Sequence, residues 1–363
     1  MLTRLKALST RNRVLLIGGV VAVVAGAVGF ALTRGGDEPE VAVTTTTTEP
    51  PTTTTTESTG EVYPLLGTPV PASGLAAAGR PALVVKIDNS DKKARPQSGL
   101  TNADVVFEPR VEGGVTRLLT VFHSRDANPV GPVRSFRTTD VDVLRMLNRP
   151  LFAWHGANGI AIQELNAAVR DGEVVNVGID ALPSLYYREP GRPAPHNSMS
   201  NTIELFARAP EDSAPPPQLF VYGSPTGGEP TSTATVDYGG GAGGAPVTWT
   251  YDESTDSWNR LQAGTPHLDE SGAQVSVKNV VIQFTDYVPT GQVDTTGSPV
   301  PEARTVGEGE VWVLTGGQRF VGRWSRDSAR EVIEYTLDDG TPIEFTPGRT
   351  WVNMPPPGGA SVS

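Results

Sequence analysis

An uncharged run of twenty residues near the N-terminus, residues 14–33, most constrains how this chain can fold. One helix of that length crosses a hydrocarbon core about 30 Å thick, whereas the apolar part of a cleaved signal peptide usually has about 7–15 residues. Four Lys or Arg residues precede the run and Arg34 follows it, which places residues 1–13 in the cytoplasm by the positive-inside rule. We therefore expect a single-pass protein that is anchored in the plasma membrane through residues 14–33, with a cleaved signal peptide as the alternative.

Residues 34–61 are predicted to form a disordered stalk, because two runs of five threonines with Glu and Pro supply too little apolar surface to fold.

Residues 1–34 carry five basic and no acidic side chains, so the rest of the chain carries a formal net charge of -11 - 5 = -16. Such a body is repelled by nucleic acid, and no nucleic-acid partner is expected. The absence of cysteine excludes disulfides, thiolate ligands and a lipid-modified N-terminal cysteine.

Residues 62–209 alternate β-rich runs with helical patterns, which predicts an α+β or mixed α/β N-terminal domain. Helices are predicted to begin near Thr139, at Ile160 and at Asn201, the last with Ile203 and Phe206 facing inward. Strands are predicted at residues 82–89, 104–112, 116–124, 151–157 and 173–179.

A Pro-rich linker at residues 210–217 separates this region from a smaller, mainly-β C-terminal domain at residues 218–356, followed by a tail at 357–363. Five of the six tryptophans lie in this second region. They are expected to pack in the core of an antiparallel β domain, with an exposed platform for sugars as the alternative.

Arg134 and Arg137 flank Ser135 between a Gly-Pro turn and a predicted helix start. The N–H groups of a helix start attract anions, and the guanidinium group matches carboxylate and phosphate. The stretch therefore has the parts of an anion site. The alternative is that both arginines pair with acids of the body such as Glu108, Glu112 or Asp104.

Acid–base catalysis would have to use the few histidines and carboxylates near predicted turns. His155 ends an apolar strand, and His196 lies in a Pro-rich loop ahead of a helix. Glu108 and Glu112 are four residues apart, about 13 Å along a strand, which is too far for one scissile bond unless the chain turns. The sequence contains no HExxH, GxSxG or P-loop motif and predicts neither a metal site nor a cofactor.

Six motifs together resemble the YerB-like family of bacterial envelope proteins, whose function is unknown. They are IDN at 87–89, ARPQSGL at 94–100, ADVVFE at 103–108, EGGVTR at 112–117, VGPVRS at 130–135 and PHN at 195–197. The later GGQRFVGRWSR and PGRTWVNM runs are similar to the smaller C-terminal domain of that family. The resemblance implies a membrane-tethered, extracytoplasmic protein, and the composition indicates an actinobacterial source. Many members look like lipoproteins with an N-terminal Cys, which this sequence replaces with an apolar span.

These observations predict a binding or scaffold module that holds an anionic group of a wall polymer, a wall precursor or an envelope protein in a polar cleft. Arg134 and Arg137 would clamp the anion, and Asp88 and Glu112 would orient them. The alternative is an envelope glycan or phosphodiester hydrolase or transferase, with His155 or His196 as base and Asp88 or Glu112 as acid. A third possibility is that the arginines only rigidify the fold and that the working surface is an interface with a partner protein. The predicted ligand-binding residues are Asp88, Asn89, Arg95, Gln97, Glu112, Arg117, Arg134, Ser135, Arg137, His155, His196 and Asn197.

Overall fold

The computed structural model describes residues 58–240, 245–294 and 297–363 of the chain. The predicted membrane span and most of the predicted stalk lie outside these residues. Within the described ranges, no helix is both long and apolar enough to cross a membrane. The folded part begins earlier than the sequence predicts, because residues from 58 onward, assigned to the stalk, already pair as a β-strand.

The N-terminal region contains four α-helices, nine strands and several short 3₁₀ turns, one of which covers Glu112–Gly114. The helices are α1 (Leu75–Ala78), α2 (Thr138–Arg145), α3 (Gly159–Arg170) and α4 (Thr202–Phe206). The strands are β1 (Ser58–Val62), β2 (Pro69–Pro71), β3 (Leu83–Asp88), β4 (Val105–Pro109), β5 (Arg117–Phe122), β6 (Leu151–Ala153), β7 (Val175–Asn176), β8 (Tyr187–Arg188) and β9 (Ser198–Met199).

The described residues after 209 form strands and no α-helix, which confirms a mainly-β C-terminal region. They are β10 (Val221–Tyr222), β11 (Glu229–Pro230), β12 (Thr233–Val236), β13 (Val247–Asp252), β14 (Ser257–Gln262), β15 (Thr265–Pro266), β16 (Ser276–Val277), β17 (Asn279–Gln283), β18 (Tyr287–Val293), β19 (Pro299–Ala303), β20 (Gly307–Thr315), β21 (Gln318–Arg326), β22 (Glu334–Thr336), β23 (Glu344–Phe345), β24 (Thr350–Met354) and β25 (Ala360–Val362). The predicted C-terminal tail therefore includes β25, which pairs antiparallel with β12.

One mixed sheet of eleven strands runs through both regions, in the order β11-β21-β20-β17-β24-β4-β5-β3-β6-β7, with β22 pairing with β21. The junction between the regions is β24, which lies parallel to β4 on one side and to β17 on the other. The last long strand of the chain is therefore inserted beside a strand of the N-terminal region. The two predicted domains share one hydrogen-bonded sheet.

The centre of this sheet is covered on both faces, as the uninterrupted burial of β3, β4 and β5 requires. On one face, Val84 and Leu119 pack in a cluster with Leu144 of α2 and Leu165 of α3. The other face packs against α4 and a second, six-stranded sheet, ordered β15-β14-β13-β12-β25 with β16 on β14. The eleven-stranded sheet is thus the middle layer, with α2 and α3 on one face and α4 and the six-stranded sheet on the other.

The tryptophans of the C-terminal region are mainly core residues rather than an exposed platform. Trp249, Trp258 and Trp351 are fully buried and Trp324 is 2% exposed, while Trp312 is only partly buried. The Trp249 and Trp351 rings meet edge to face with centroids 5.5 Å apart. They fill the space between the two sheets.

The predicted helices are present, and each begins within one residue of its predicted start. Asp140 caps α2, since its carboxylate accepts a hydrogen bond from the backbone N–H of Arg137 at 2.9 Å, and this helix begins at Thr138. In α4, Thr202 and Leu205 are the buried side chains, and Ile203 is 54% exposed. The prediction that Ile203 faces inward is wrong, because α4 is only five residues long and the sheet contacts a different stripe of it.

Candidate functional site

Asp88, the last residue of β3, is buried and lies at the centre of a polar cluster. Its Oδ2 accepts a hydrogen bond from Arg134 Nε at 3.1 Å and lies 2.8 Å from His196 Nδ1. Its Oδ1 accepts hydrogen bonds from the backbone N–H and the hydroxyl of Ser90. One carboxylate therefore joins three segments that are distant in the sequence.

The pKa of Asp88 lies below its ordinary value. Burial alone would raise this pKa, but the hydrogen bonds from Ser90 and the charges of Arg117 and Arg134 outweigh burial. Asp88 is therefore ionised at neutral pH. This state favours the orienting role predicted for Asp88 over the role of a general acid.

Arg137 pairs with Glu112 through two nearly parallel hydrogen bonds, from Nε to Oε1 and from Nη2 to Oε2, the second 2.9 Å long. Their side chains are only 9% and 5% exposed. Arg117 is buried beside them and donates to the carbonyl oxygen of Ser135 at 2.9 Å. Burial, followed by the charges of Arg137 and Arg134, lowers the pKa of Arg117 to about 10. Arg137 thus uses its planar fork on Glu112, as the ion-pair alternative predicts.

His155 is held by partners on both ring nitrogens. Its Nδ1 lies 2.7 Å from Ser198 Oγ, and its Nε2 lies 3.2 Å from Arg188 Nη2. Because a guanidinium group only donates, Nε2 accepts and Nδ1 carries the proton. Burial and the charges of Arg188 and Arg134 lower the pKa of His155. The ring is therefore neutral, but neither nitrogen is free to accept a substrate proton.

A second polar cluster extends from Asn89 into the interior. Asn89 Nδ2 donates to Thr116 Oγ1 at 2.8 Å and to Glu108 Oε1 at 3.2 Å. Both Glu108 oxygens accept from Arg260 Nη2, at 2.9 and 3.0 Å. Gln97 donates to Asn89 Oδ1 at 3.1 Å, and its own Oε1 lies 2.7 Å from His267 Nε2. Arg260 and His267 belong to the C-terminal region, so the cluster joins both regions.

The sequence reasoning did not select Arg260, Gln262 or His267. A signal for the first two was present in β14, where alternate residues face inward and Arg260 follows the buried Trp258 by two positions. Glu108 and Glu112 do not share a site as a catalytic pair would. Glu108 forms an ion pair with Arg260, and Glu112 forms one with Arg137.

A cavity of about 320 Å³ opens beside Asn89, at the junction of the two regions. Arg95 lines this cavity and donates through Nη1 to the carbonyl and side-chain oxygens of Asn89, at 3.1 and 3.0 Å. Within the ranges that the structure describes, no carboxylate lies at ion-pairing distance from Arg95. We call this space the Arg95 cavity; its lining also includes Ser90, Asp91, Lys92, Thr116, Tyr238, Val247 and Gln262.

The chain matches two family models along most of its folded part. The N-terminal domain of the family described as "Protein of unknown function (DUF3048)" matches residues 67–214, and its C-terminal domain matches residues 234–352. The chain belongs to the DUF3048 family. It is 30% identical over 285 residues to the Bacillus subtilis protein named "Putative lipoprotein YerB". The aligned part covers 76% of this chain and 81% of that protein. A crystal structure of YerB from Bacillus subtilis superposes with a TM-score of 0.70 at 27% identity, over 83% of this chain and 98% of that one.

Several DUF3048 motif residues that the sequence singled out lie in the two clusters, but they do not all reach the cavity. Asn89 and Arg95 line the cavity, whereas Gln97 does not line it and donates a hydrogen bond to Asn89. Asn197 accepts from the Arg188 Nη1 group at 3.0 Å, next to His155. Among the described residues, no three potential metal ligands lie together.

Proposed function

We propose that this DUF3048 protein is an extracytoplasmic binding module of the bacterial cell envelope that holds an anionic group in the Arg95 cavity. The name of the Bacillus subtilis relative includes "lipoprotein", and a lipoprotein is held at a membrane surface by its lipid. In this chain the apolar run at residues 14–33 takes the place of the lipid as the membrane anchor. The anion belongs to a wall polymer, a wall precursor or an envelope protein.

The observation that carries the proposal is the state of Arg95. Its guanidinium group lines an open cavity and is held by Asn89, yet no described carboxylate lies at ion-pairing distance from it. Three carboxylates act on Arg95 from farther away: Asp88 and Glu108 are already paired with Arg134 and Arg260, and Asp91 lines the same cavity. A positive group that is held in place, partly buried and unpaired in an acidic body is suited to a ligand carboxylate or phosphate.

The cavity supplies further groups that suit an anionic, hydroxylated ligand. Lys92 adds a second positive charge, while the carboxylate of Asp91 accepts a hydrogen bond from the Lys93 backbone N–H at 3.0 Å. Thr116 and Gln262 add further polar groups to the lining. The volume of about 320 Å³ lies at the lower end of the range for small-ligand sites, about 300–1,000 Å³.

One observation favours the enzymatic alternative. The 2.8 Å contact between His196 Nδ1 and Asp88 Oδ2 is the arrangement by which a carboxylate orients a general base. No described group hydrogen-bonds Nε2 of this ring. A hydrolase or transferase would therefore use His196 as base and would need a proton donor other than Asp88 or Glu112.

The binding proposal is tested by calorimetric titration of the full chain with glycerol phosphate at low and high salt. Arg95→Gln should weaken binding by about tenfold or more, since a charge-assisted hydrogen bond is lost, and wild-type affinity should fall with added salt. Arg208→Gln is the matched control, because Arg208 is exposed and has no ion pair among the described residues. Equal affinities of Arg95→Gln and wild type would contradict the proposal. Turnover of a phosphodiester that His196→Ala abolishes without loss of affinity would establish the enzymatic alternative instead.

A further inference from the structure

A second cavity adjoins the Arg95 cavity along the junction of the two family regions. It measures about 520 Å³ and is lined by Arg110 and Gly113 from the N-terminal region and by Tyr287, Pro289 and Pro301 from β18 and β19. Gly114 contributes to the walls of both cavities. The two spaces therefore lie side by side, one on each side of this glycine.

The boundary between the cavities is a close contact of two glycine backbones. A Cβ added to Gly114 would lie 2.0 Å from the Cα atom of Gly240, and one added to Gly240 would lie 2.6 Å from the Gly114 carbonyl oxygen. Gly114 also has a φ of +74°. Because no side chain fits there, peptide groups rather than side chains form the wall that the two cavities share.

Arg110 lines the second cavity, as Arg95 lines the first. Its backbone N–H donates to the Tyr287 hydroxyl at 2.9 Å, and its guanidinium carbon lies 5.8 Å from the centroid of the Tyr287 ring. In the described part of the chain, no carboxylate pairs with Arg110, and its buried Nε has no hydrogen-bond partner. A buried N–H donor without a partner is costly unless a ligand satisfies it.

We propose that the two cavities form one groove, continuous above the Gly114–Gly240 contact, for a linear, hydroxylated polyanion such as a polyol phosphate or sugar phosphate chain. One acidic group binds Arg95 and a later one binds Arg110. This inference rests on the proposed function and names the class of its ligand. A single small anion meets only one of the two unpaired guanidinium groups, whereas a chain with repeated acidic groups meets both.

The linings favour a polyhydroxylated chain over an acidic peptide. The hydroxyl oxygens of Ser90 and Thr116, whose protons go to Asp88 and Glu108, can accept hydrogen bonds from ligand hydroxyls. In the second cavity, Tyr287 and its neighbouring prolines offer apolar surface to the C–H faces of such a chain.

The test compares a monomer with its oligomer on the full chain. Glycerol phosphate and a defined poly(glycerol phosphate) of about six units are titrated into wild type, Arg95→Gln, Arg110→Gln, Arg110→Lys and Arg208→Gln. We expect the oligomer to bind wild type about tenfold or more tightly than the monomer, because two charge-assisted contacts replace one. Arg110→Gln should remove this advantage, Arg110→Lys should restore part of it, and Arg208→Gln should change neither affinity.

The outcomes separate this inference from the function on which it rests. One outcome would support the Arg95 site but contradict the groove. In it, Arg95→Gln loses binding of both monomer and oligomer, while Arg110→Gln binds the oligomer as tightly as wild type does. Tighter binding of polyglutamate than of poly(glycerol phosphate) would overturn the ligand class in favour of an acidic peptide. Unchanged binding of both glycerol phosphate probes in Arg95→Gln would overturn the proposed function itself. Thermal melting of each variant verifies that it is folded.

Discussion

At the scale of single residues, Glu108 shows how the polar interior is held together. Its buried carboxylate accepts from Arg260, Thr116 and Asn89, and also from the indole N–H of Trp351 at 2.8 Å. Arg260 has no exposed surface, and its guanidinium carbon lies 4.8 Å from the Trp351 ring centroid. The charge of Arg260 is therefore compensated mainly by this one carboxylate.

Replacement of Glu108 by glutamine should destabilise the fold strongly. Glu108→Gln leaves the Arg260 charge buried without its carboxylate, and removal of one partner of a buried ion pair costs about 3–5 kcal/mol. The exposed Glu211 has no ion pair among the described residues, so Glu211→Gln is the matched control, with a change within about 0.5 kcal/mol. Denaturant unfolding measures both. Similar free energies of unfolding for the two variants would show that the pair contributes little.

At the scale of elements, the short helix α4 provides a direct test of which face packs. Leu205 is fully buried in the cluster that includes Val85 and Leu118 of the sheet, while Ile203 is mostly exposed. Leu205→Ala should therefore lower the free energy of unfolding by about 2–5 kcal/mol, and Ile203→Ala should change it by less than about 0.5 kcal/mol. The two substitutions, measured by the same denaturant titration, are controls for each other. A larger loss for Ile203→Ala would mean that α4 packs as the sequence predicted.

The local elements were predictable because their signals are local. The β-rich runs at β3, β4 and β5 and the N-cap Asn201 of α4 can be recognised within a few residues of sequence. The partners of these elements were not predictable in the same way. Glu108 and Arg260 are 152 positions apart, and nothing in either segment indicates the other. The polar motif residues of the N-terminal region were thus identified, but the C-terminal half of their cluster was missed.

At the scale of the whole molecule, the shared sheet explains why the site lies where it does. Since β24 is inserted between β17 and β4, the ends of strands from both regions are brought to one junction. The Arg95 cavity and its neighbour both lie along this junction, with walls from each region. Neither region would form either cavity alone. The function proposed for the cavities therefore depends on the association of the two DUF3048 regions.

The same junction should make the stability of the fold depend on pH through His267. Its Nδ1 accepts from Arg260 Nη1 and its Nε2 donates to Gln97, so the ring is neutral. Burial, with the charges of Arg260 and Arg95, sets its pKa well below the ordinary value. Below pH of about 6.5 the unfolded chain takes up a proton that the folded chain does not. The stability that the neutral His267 contributes is thus complete above that pH. It is lost progressively as the pH falls toward the pKa of His267 in the folded chain, by up to about 1.4 kcal/mol per pH unit.

His267→Gln should be less stable than wild type at pH 8 but should show a shallower decline in the free energy of unfolding between pH 7 and 5, as measured by denaturant unfolding at each pH. The pKa values of His123 and His155 are also lowered and affect both proteins alike, so parallel declines would contradict a buried, neutral His267.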